Sequence, residues 1–321
     1  MKLLFGTILI VAAVVAGGAD PAVPPAPGTD EKTSGHNQTV AQELILCGWD
    51  EVFILRIGPG QGAHPEKTWT WKAMDRPELP DSIKPKFATT DECKPLEEGA
   101  KVLITSSGNG VALVERSSGE VLFWATAPNA HSADILPGGR VAVAASHSSK
   151  GRGDRLIVFA PGCPGTELCS MELSWGHGVV WDEKRNILWA LSDSEVRAYE
   201  LVDWETEKPS LKKTAAYEIP ERGGHDLYPV PGTSLLGVSS SRHSWLFDRD
   251  QCTFKLHPRL ADNRRVKSMA VHPASGRLAW IKAGEEHWWA ERVHFLNPEH
   301  TLHLPGEHLY KARWIDTEEC R

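Results

Sequence analysis

HSADILPGGRVAVA (His131–Ala144) and HGVVWDEKRNILWA (His177–Ala190) share one plan: a short run, a tight turn, then an apolar strand about ten residues after the first position. ECKPLEEGAKVLIT from Glu92, HDLYPVPGTSLLGV from His225 and SMAVHPASGRLAW from Ser268 repeat it, with starts 39, 46, 48 and 43 residues apart. Each apolar strand leads through a polar loop to another: VALVE, RLIVFA, EVRAYEL, SWLFDRD and RVHFL. GEVLFWA (Gly119–Ala125) supplies a fourth strand. Four short strands in each repeat of about 40–50 residues is the pattern of a propeller blade. None of the runs has the 3.6-residue rhythm of a helix. The chain is therefore expected to be all-β, a single β-propeller over residues 41–321.

The two ends set the blade count. LYKARWI (Leu309–Ile315) reads as the first strand of a further repeat, yet little chain follows it, while ELILCGW, EVFILRI and KTWTWKA near the start offer its missing partners. Pairing them closes the ring and hides the sheet edges. Six blades result, or seven if Gly58–Phe87 holds extra strands. Several stretches are similar to a family of secreted bacterial and fungal propeller proteins classed as a domain of unknown function. They are CGWDEVFIL from Cys47, TTDECKPL from Thr89, NAHSADILPGGRVAVA from Asn129, GGHDLYPVPG from Gly223, VKSMAVHPASGRLAW from Val266 and LYKARW from Leu309. The resemblance spans nearly the whole chain after residue 40 and implies a fold, with no activity to carry over.

Composition narrows the function. With 35 basic and 42 acidic side chains the net charge is −7, which disfavours an electrostatic hold on nucleic acid or an acidic membrane. Residues 1–19, with Lys2, an apolar run and a small-residue exit, read as a secretory signal peptide, and 20–40 as a Pro-rich disordered linker. A secreted, extracellular or periplasmic monomer is the expectation, without membrane insertion once the leader is removed. Export makes the six cysteines candidates for disulfides. Cys163 and Cys169 bracket a turn and are the expected bridge; Cys47, Cys93, Cys252 and Cys320 can pair in three ways.

In a propeller the links into the first strands and the loops between second and third strands open on one face. Here that face is rich in chemistry. Equivalent repeat positions carry Glu92, His131, His177, His225, Ser268 and Ala312, with Lys267 and Lys311 immediately before the last two. Loops of the same face add Trp49, Asp50, Ser106, Ser107, Asn109, His147, Lys150, Arg152, Asp193, Arg242, His243, Glu286, His287 and Trp288. Titratable groups converging on a concavity point to a site. The bland reading stands beside it: propellers use a histidine near the start of a blade as a structural tie, and GH at 176–177 and GGH at 223–225 resemble that device. For the two lysines packing is a weaker explanation. Trp69, Trp71, Trp124 and Trp181 read as core, Trp49 and Trp288 as a stacking platform.

Three functions compete. The first is carbohydrate binding with possible cleavage, in which Lys267 or Lys311 neutralises the carboxylate of an acidic glycan and one of His131, His177 and His225 takes a proton, as in a polysaccharide lyase. Glu92, Trp49, Asn109, Arg242, His243 and Trp288 would complete the substrate contacts. The second is a divalent-metal site, Zn²⁺ or Mn²⁺, on the same three histidines. The third is a protein-interaction scaffold in which the histidines are structural. No serine elbow, phosphate loop or nucleotide fingerprint is present.

Overall fold

A computed structural model describes residues 41–58, 64–149 and 151–316. The proposed leader and linker, Lys150 and Cys320 lie outside the described residues. The described chain builds six four-stranded antiparallel sheets, and contacts between their first strands run in chain order around a closed ring. Between Ile57 and the second sheet only one strand, Glu66–Trp71, and two 3-10 turns are described. The ring has six blades.

Closure follows the expected route. Lys311–Ile315 pairs with Gln42–Gly48, Leu46 opposite Ala312 and Cys47 opposite Lys311, so the last strand is the innermost strand of the first blade. Alternating apolar residues then pack between neighbouring sheets rather than in one central mass. Ile45, Ile54 and Trp71 of the first blade meet Val102 and Ile104 of the second. Leu44 and Phe53 meet Ala279 and Phe295 of the sixth. Trp71 is fully buried, and Trp69, Trp124 and Trp181 pack against these clusters.

Each innermost strand turns an unpaired edge toward the channel, and buried backbone N–H groups must find acceptors. Side chains of the preceding blade supply them. Ser132 Oγ accepts from the Val179 amide at 3.3 Å, Asp134 Oδ2 from Trp181 at 2.9 Å, Asp226 Oδ2 from Met269 at 3.0 Å and Ser268 Oγ from Ala312 at 3.1 Å. Polar residues on these strands are therefore edge caps that stitch blade to blade.

At mid-channel two carboxylates and two cations, all without solvent exposure, form one cluster. Arg313 donates to Glu92 at 2.9 and 3.1 Å and to Asp226 at 2.6 and 3.0 Å. Lys311 donates to Glu92 at 3.2 Å and to the His131 carbonyl at 3.1 Å, and lies 3.4 Å from Asp226. Burial alone would raise the Glu92 carboxyl, but Arg313, Lys311 and Lys94 outweigh it and hold Glu92 well below the usual carboxylate range. Burial likewise disfavours the Arg313 charge, and Asp226 and Glu92 more than restore it. The cluster ties the first, second and fifth blades across the ring.

The cysteines correct one expectation. Cys163 and Cys169 are free thiols and make no bridge. Cys169 sits on the outer strand Glu167–Glu172 and packs against an inter-blade core, while Cys163 stays in the exposed turn. Cys47, Cys93 and Cys252 are also free.

Two measurements test the closure. Truncation after His308 strips the innermost strand and both channel cations, and should abolish cooperative thermal unfolding; a fragment melting like the full chain would contradict ring closure. Arg313→Met leaves two buried carboxylates short of a partner and should lower stability by about 3–5 kcal/mol in urea titration.

Candidate functional site

One residue from each blade forms a ring at the channel mouth, directly above the charged cluster: Asp91, His131, His177, His225, Lys267 and Tyr310. With Ser107, Asn129 and Trp288 they line a cavity of about 270 Å³. Neighbours in the ring touch. The His131 and His177 rings lie 4.3 Å apart, His177 and His225 5.4 Å apart. Lys267 Nζ is 3.1 Å from His225 Nε2 and 5.9 Å from the Tyr310 ring centroid, and His131 Nε2 is 3.8 Å from Asp91 Oδ1; Tyr310 also meets His131, two places along the ring, edge-on at 5.9 Å.

Local backbone devices aim these side chains. Asp91, His131 and Lys267 are each the extra residue at a register shift where the first strand meets the second. Such a bulge re-aims a side chain at the cost of one ladder position. Two residues before four ring members the chain is left-handed: Asn129 (φ 50), Trp175 (φ 49), Gly223 (φ 85) and Arg265 (φ 62). This twist lets the Asn129 carbonyl accept from His131 Nδ1 at 3.0 Å and the Trp175 carbonyl from His177 Nδ1 at 2.8 Å. The backbone thus fixes one tautomer, and Nε2 of both rings keeps a lone pair for the cavity.

Burial sets the charges. It pushes His177 and His225 well below the ordinary imidazole value, helped at His177 by the flanking histidines and at His225 by Lys267. Burial lowers His131 in spite of Asp91 and raises Asp91 in spite of His131, so each favours its neutral form. The Tyr310 phenol is raised by burial and stays protonated. Lys267 falls to about 8 through burial and the nearby Arg265.

The sequence-derived candidates divide. His131, His177, His225, Lys267 and Trp288 converge on the cavity, and Trp49 stacks on Trp288 at 5.2 Å. Glu92 and Lys311 lie one layer deeper, fully buried and bound to each other. Asn109 is a left-handed turn residue whose Oδ1 accepts from the Asn129 amide at 2.8 Å. Arg242 and His243 pair with Glu221 at 3.7 and 2.9 Å, away from the cavity lining.

Asp91 and Tyr310 belong in the ring and were displaced by one position in the repeat alignment. The second blade's turn between Leu96 and Lys101 is one residue longer than that between Leu136 and Arg140, so equal spacing brings Glu92 into phase with His131. Lys267 is a bulge residue, whereas the register of Lys311–Ile315 is unbroken; aligning their lysines hides Tyr310. The turn lengths are visible in the sequence, the bulges are not.

Among the described residues no group of three or more His, Cys, Asp or Glu is arranged to hold a metal ion. His225 Nε2 is already taken by the Lys267 ammonium, and a resident cation opposes a dication beside it.

The depressed histidines make stability depend on acid. In the unfolded chain they take a proton near 6.5, in the native ring only well below it. The unfolded state therefore binds more protons below about pH 6.5, and stability falls as pH drops through that range. His177→Gln, neutral throughout, should flatten the decline of urea midpoint between about pH 7 and pH 5. Equal slopes for both proteins would show that His177 carries no such strain.

No curated protein matches the chain. Residues 61–319 match the "Family of unknown function (DUF6528)". With that match covering most of its length, this six-bladed propeller belongs to that family of unknown function.

Proposed function

We propose that the channel mouth binds a small acidic ligand, best fitted by one carboxylate-bearing sugar unit. The observation that carries this reading is Lys267. Lys94 is matched by Asp134 at 3.0 Å and Lys311 by Glu92 at 3.2 Å. Lys267, equally buried, has the imidazole of His225 and no carboxylate within ion-pair distance among the described residues. A buried charge is normally paired, and a ligand carboxylate would complete this one. The cavity of about 270 Å³ suits one sugar ring rather than a larger molecule, since drug-sized ligands need roughly 300–1,000 Å³. Ser107, Asn129 and Tyr310 offer hydrogen bonds to it, and Trp288 puts an apolar face at the edge of the cavity.

The same geometry allows chemistry next to the carboxylate. His131, its Nδ1 proton held by the Asn129 carbonyl, would take at Nε2 the proton α to an acid group that Lys267 neutralises; in a glycan chain the C4–O bond then breaks as the C4=C5 double bond forms, and water returns a proton to the leaving oxygen. The competing scaffold reading draws on the Nδ1–carbonyl bonds of His131 and His177, which alone would suffice for a structural tie. Those bonds leave both Nε2 atoms facing the cavity.

Calorimetric titration with galacturonate tests the proposal. Lys267→Met should weaken binding at least about tenfold, the worth of a charge-assisted hydrogen bond. Affinity of the unmodified protein should fall above about pH 8, where Lys267 loses its proton. Unchanged binding by the variant would sink the anion site. With polygalacturonate as substrate, absorbance from new unsaturated ends, lost in His131→Gln, would establish elimination as well.

A further inference from the structure

Two exposed aromatic stacks stand at opposite junctions of the ring around this cavity. On one side Trp49, from the turn after Gln42–Gly48 in the first blade, stacks with Trp288 from the sixth blade at 5.2 Å and with His308 at 4.5 Å. On the other Trp175, leading into the fourth blade, stacks on His147 of the third at 4.9 Å and 20°. One stack bridges the junction of blades six and one, the other that of blades three and four. In a ring of six these junctions are diametrically opposed. All belong to the loops that open on the cavity's face.

Trp175 is not explained by folding. It is 48% exposed, and its backbone is left-handed at φ 49, a conformation disfavoured for a bulky residue. The equivalent links hold Asn129 and Gly223, which adopt it readily, and Arg265, whose guanidinium is used structurally on the Glu285 and His287 carbonyls at 2.6 and 2.7 Å. Asn or Gly would supply the same carbonyl to His177. The indole is nevertheless held firmly: the Trp175 amide donates to Asp154 Oδ1 at 2.7 Å, and Asp154 Oδ2 bonds the supporting His147 ring at 2.8 Å. One face rests on that imidazole and the other is open. A strained, braced and exposed aromatic is what a contact surface requires.

We infer that the face binds a linear acidic polysaccharide across the mouth, with Trp288 and Trp175 as stacking platforms for the units flanking the one whose carboxylate meets Lys267. This rests on the acidic-ligand reading above. Sugar C–H faces pack on indole without regard to charge, so the cavity selects the acid and the platforms select chain length. Occupation of all three positions requires at least a trimer, and linked contacts raise affinity beyond that of a single unit.

Calorimetry with galacturonate monomer, trimer and hexamer, and with neutral xylohexaose, tests the inference on the full protein. The hexamer should bind at least about tenfold more tightly than the monomer. Trp175→Asn should reduce that advantage to about twofold or less, with monomer affinity unchanged and the thermal midpoint no lower; Trp175→Gly serves as a second variant. A retained chain-length advantage in both variants, or none in the unmodified protein, would overturn the platforms. Equal, Trp175-dependent binding of xylohexaose and hexagalacturonate would instead uphold the platforms and remove the acidic reading. Absence of binding to every sugar would overturn both.

Discussion

The Arg313 guanidinium, fully buried between Glu92 and Asp226, is the interaction on which the remaining structure depends. A propeller's sheets attract one another sideways through apolar faces, which leaves the axis as the weak place: innermost strands present unpaired backbone there, with no partner sheet to cover it. Apolar side chains at the axis could not satisfy those groups. Here Arg313 and Lys311 neutralise two carboxylates from blades that do not touch, while Asp226 also caps the Met269 amide. The cations arrive on the last strand, so electrostatic sealing of the channel and closure of the ring are one event. Buried ion pairs are not automatically stabilising, but this arrangement specifies which strand completes the first blade.

The same plug defines the site. Because the charged layer fills the axis, the mouth above it is a cup rather than a pore, and its floor is buried. Burial shifts the ring above: imidazoles favour the neutral form, Lys267 loses part of its hold on a proton, and Asp91 and His131 each prefer the uncharged form. On the proposed reading, a cup of neutral acceptors around the Lys267 ammonium would suit an anion, since ligand charge replaces lost hydration. The left-handed links do a second job here. Their twist directs carbonyls onto histidine Nδ1 atoms and carries Trp175 to the rim.

Much of this was legible in the chain itself. Repeats near 40–50 residues, alternation of apolar residues and the orphan strand at Leu309–Ile315 pointed to a propeller of six blades, or seven, closed by its ends, because strand period and edge pairing are local and geometric; the structure has six. The face carrying His131, His177, His225, Lys267 and Trp288 followed from loop parity in the repeat. Tertiary structure decided what no period encodes. A bulge at Lys267 adds one residue without altering composition, so Tyr310 rather than Lys311 lines the cavity, while a turn one residue longer puts Asp91 there in place of Glu92. Ion pairing across the axis joins residues 221 positions apart, Glu92 and Arg313, and only the closed ring brings them together. Whether a thiol meets another thiol or a core, as at Cys169, depends on which side of its strand faces the neighbouring blade. Sequence sets the repeat; the closing of the ring sets depth, charge and partnership.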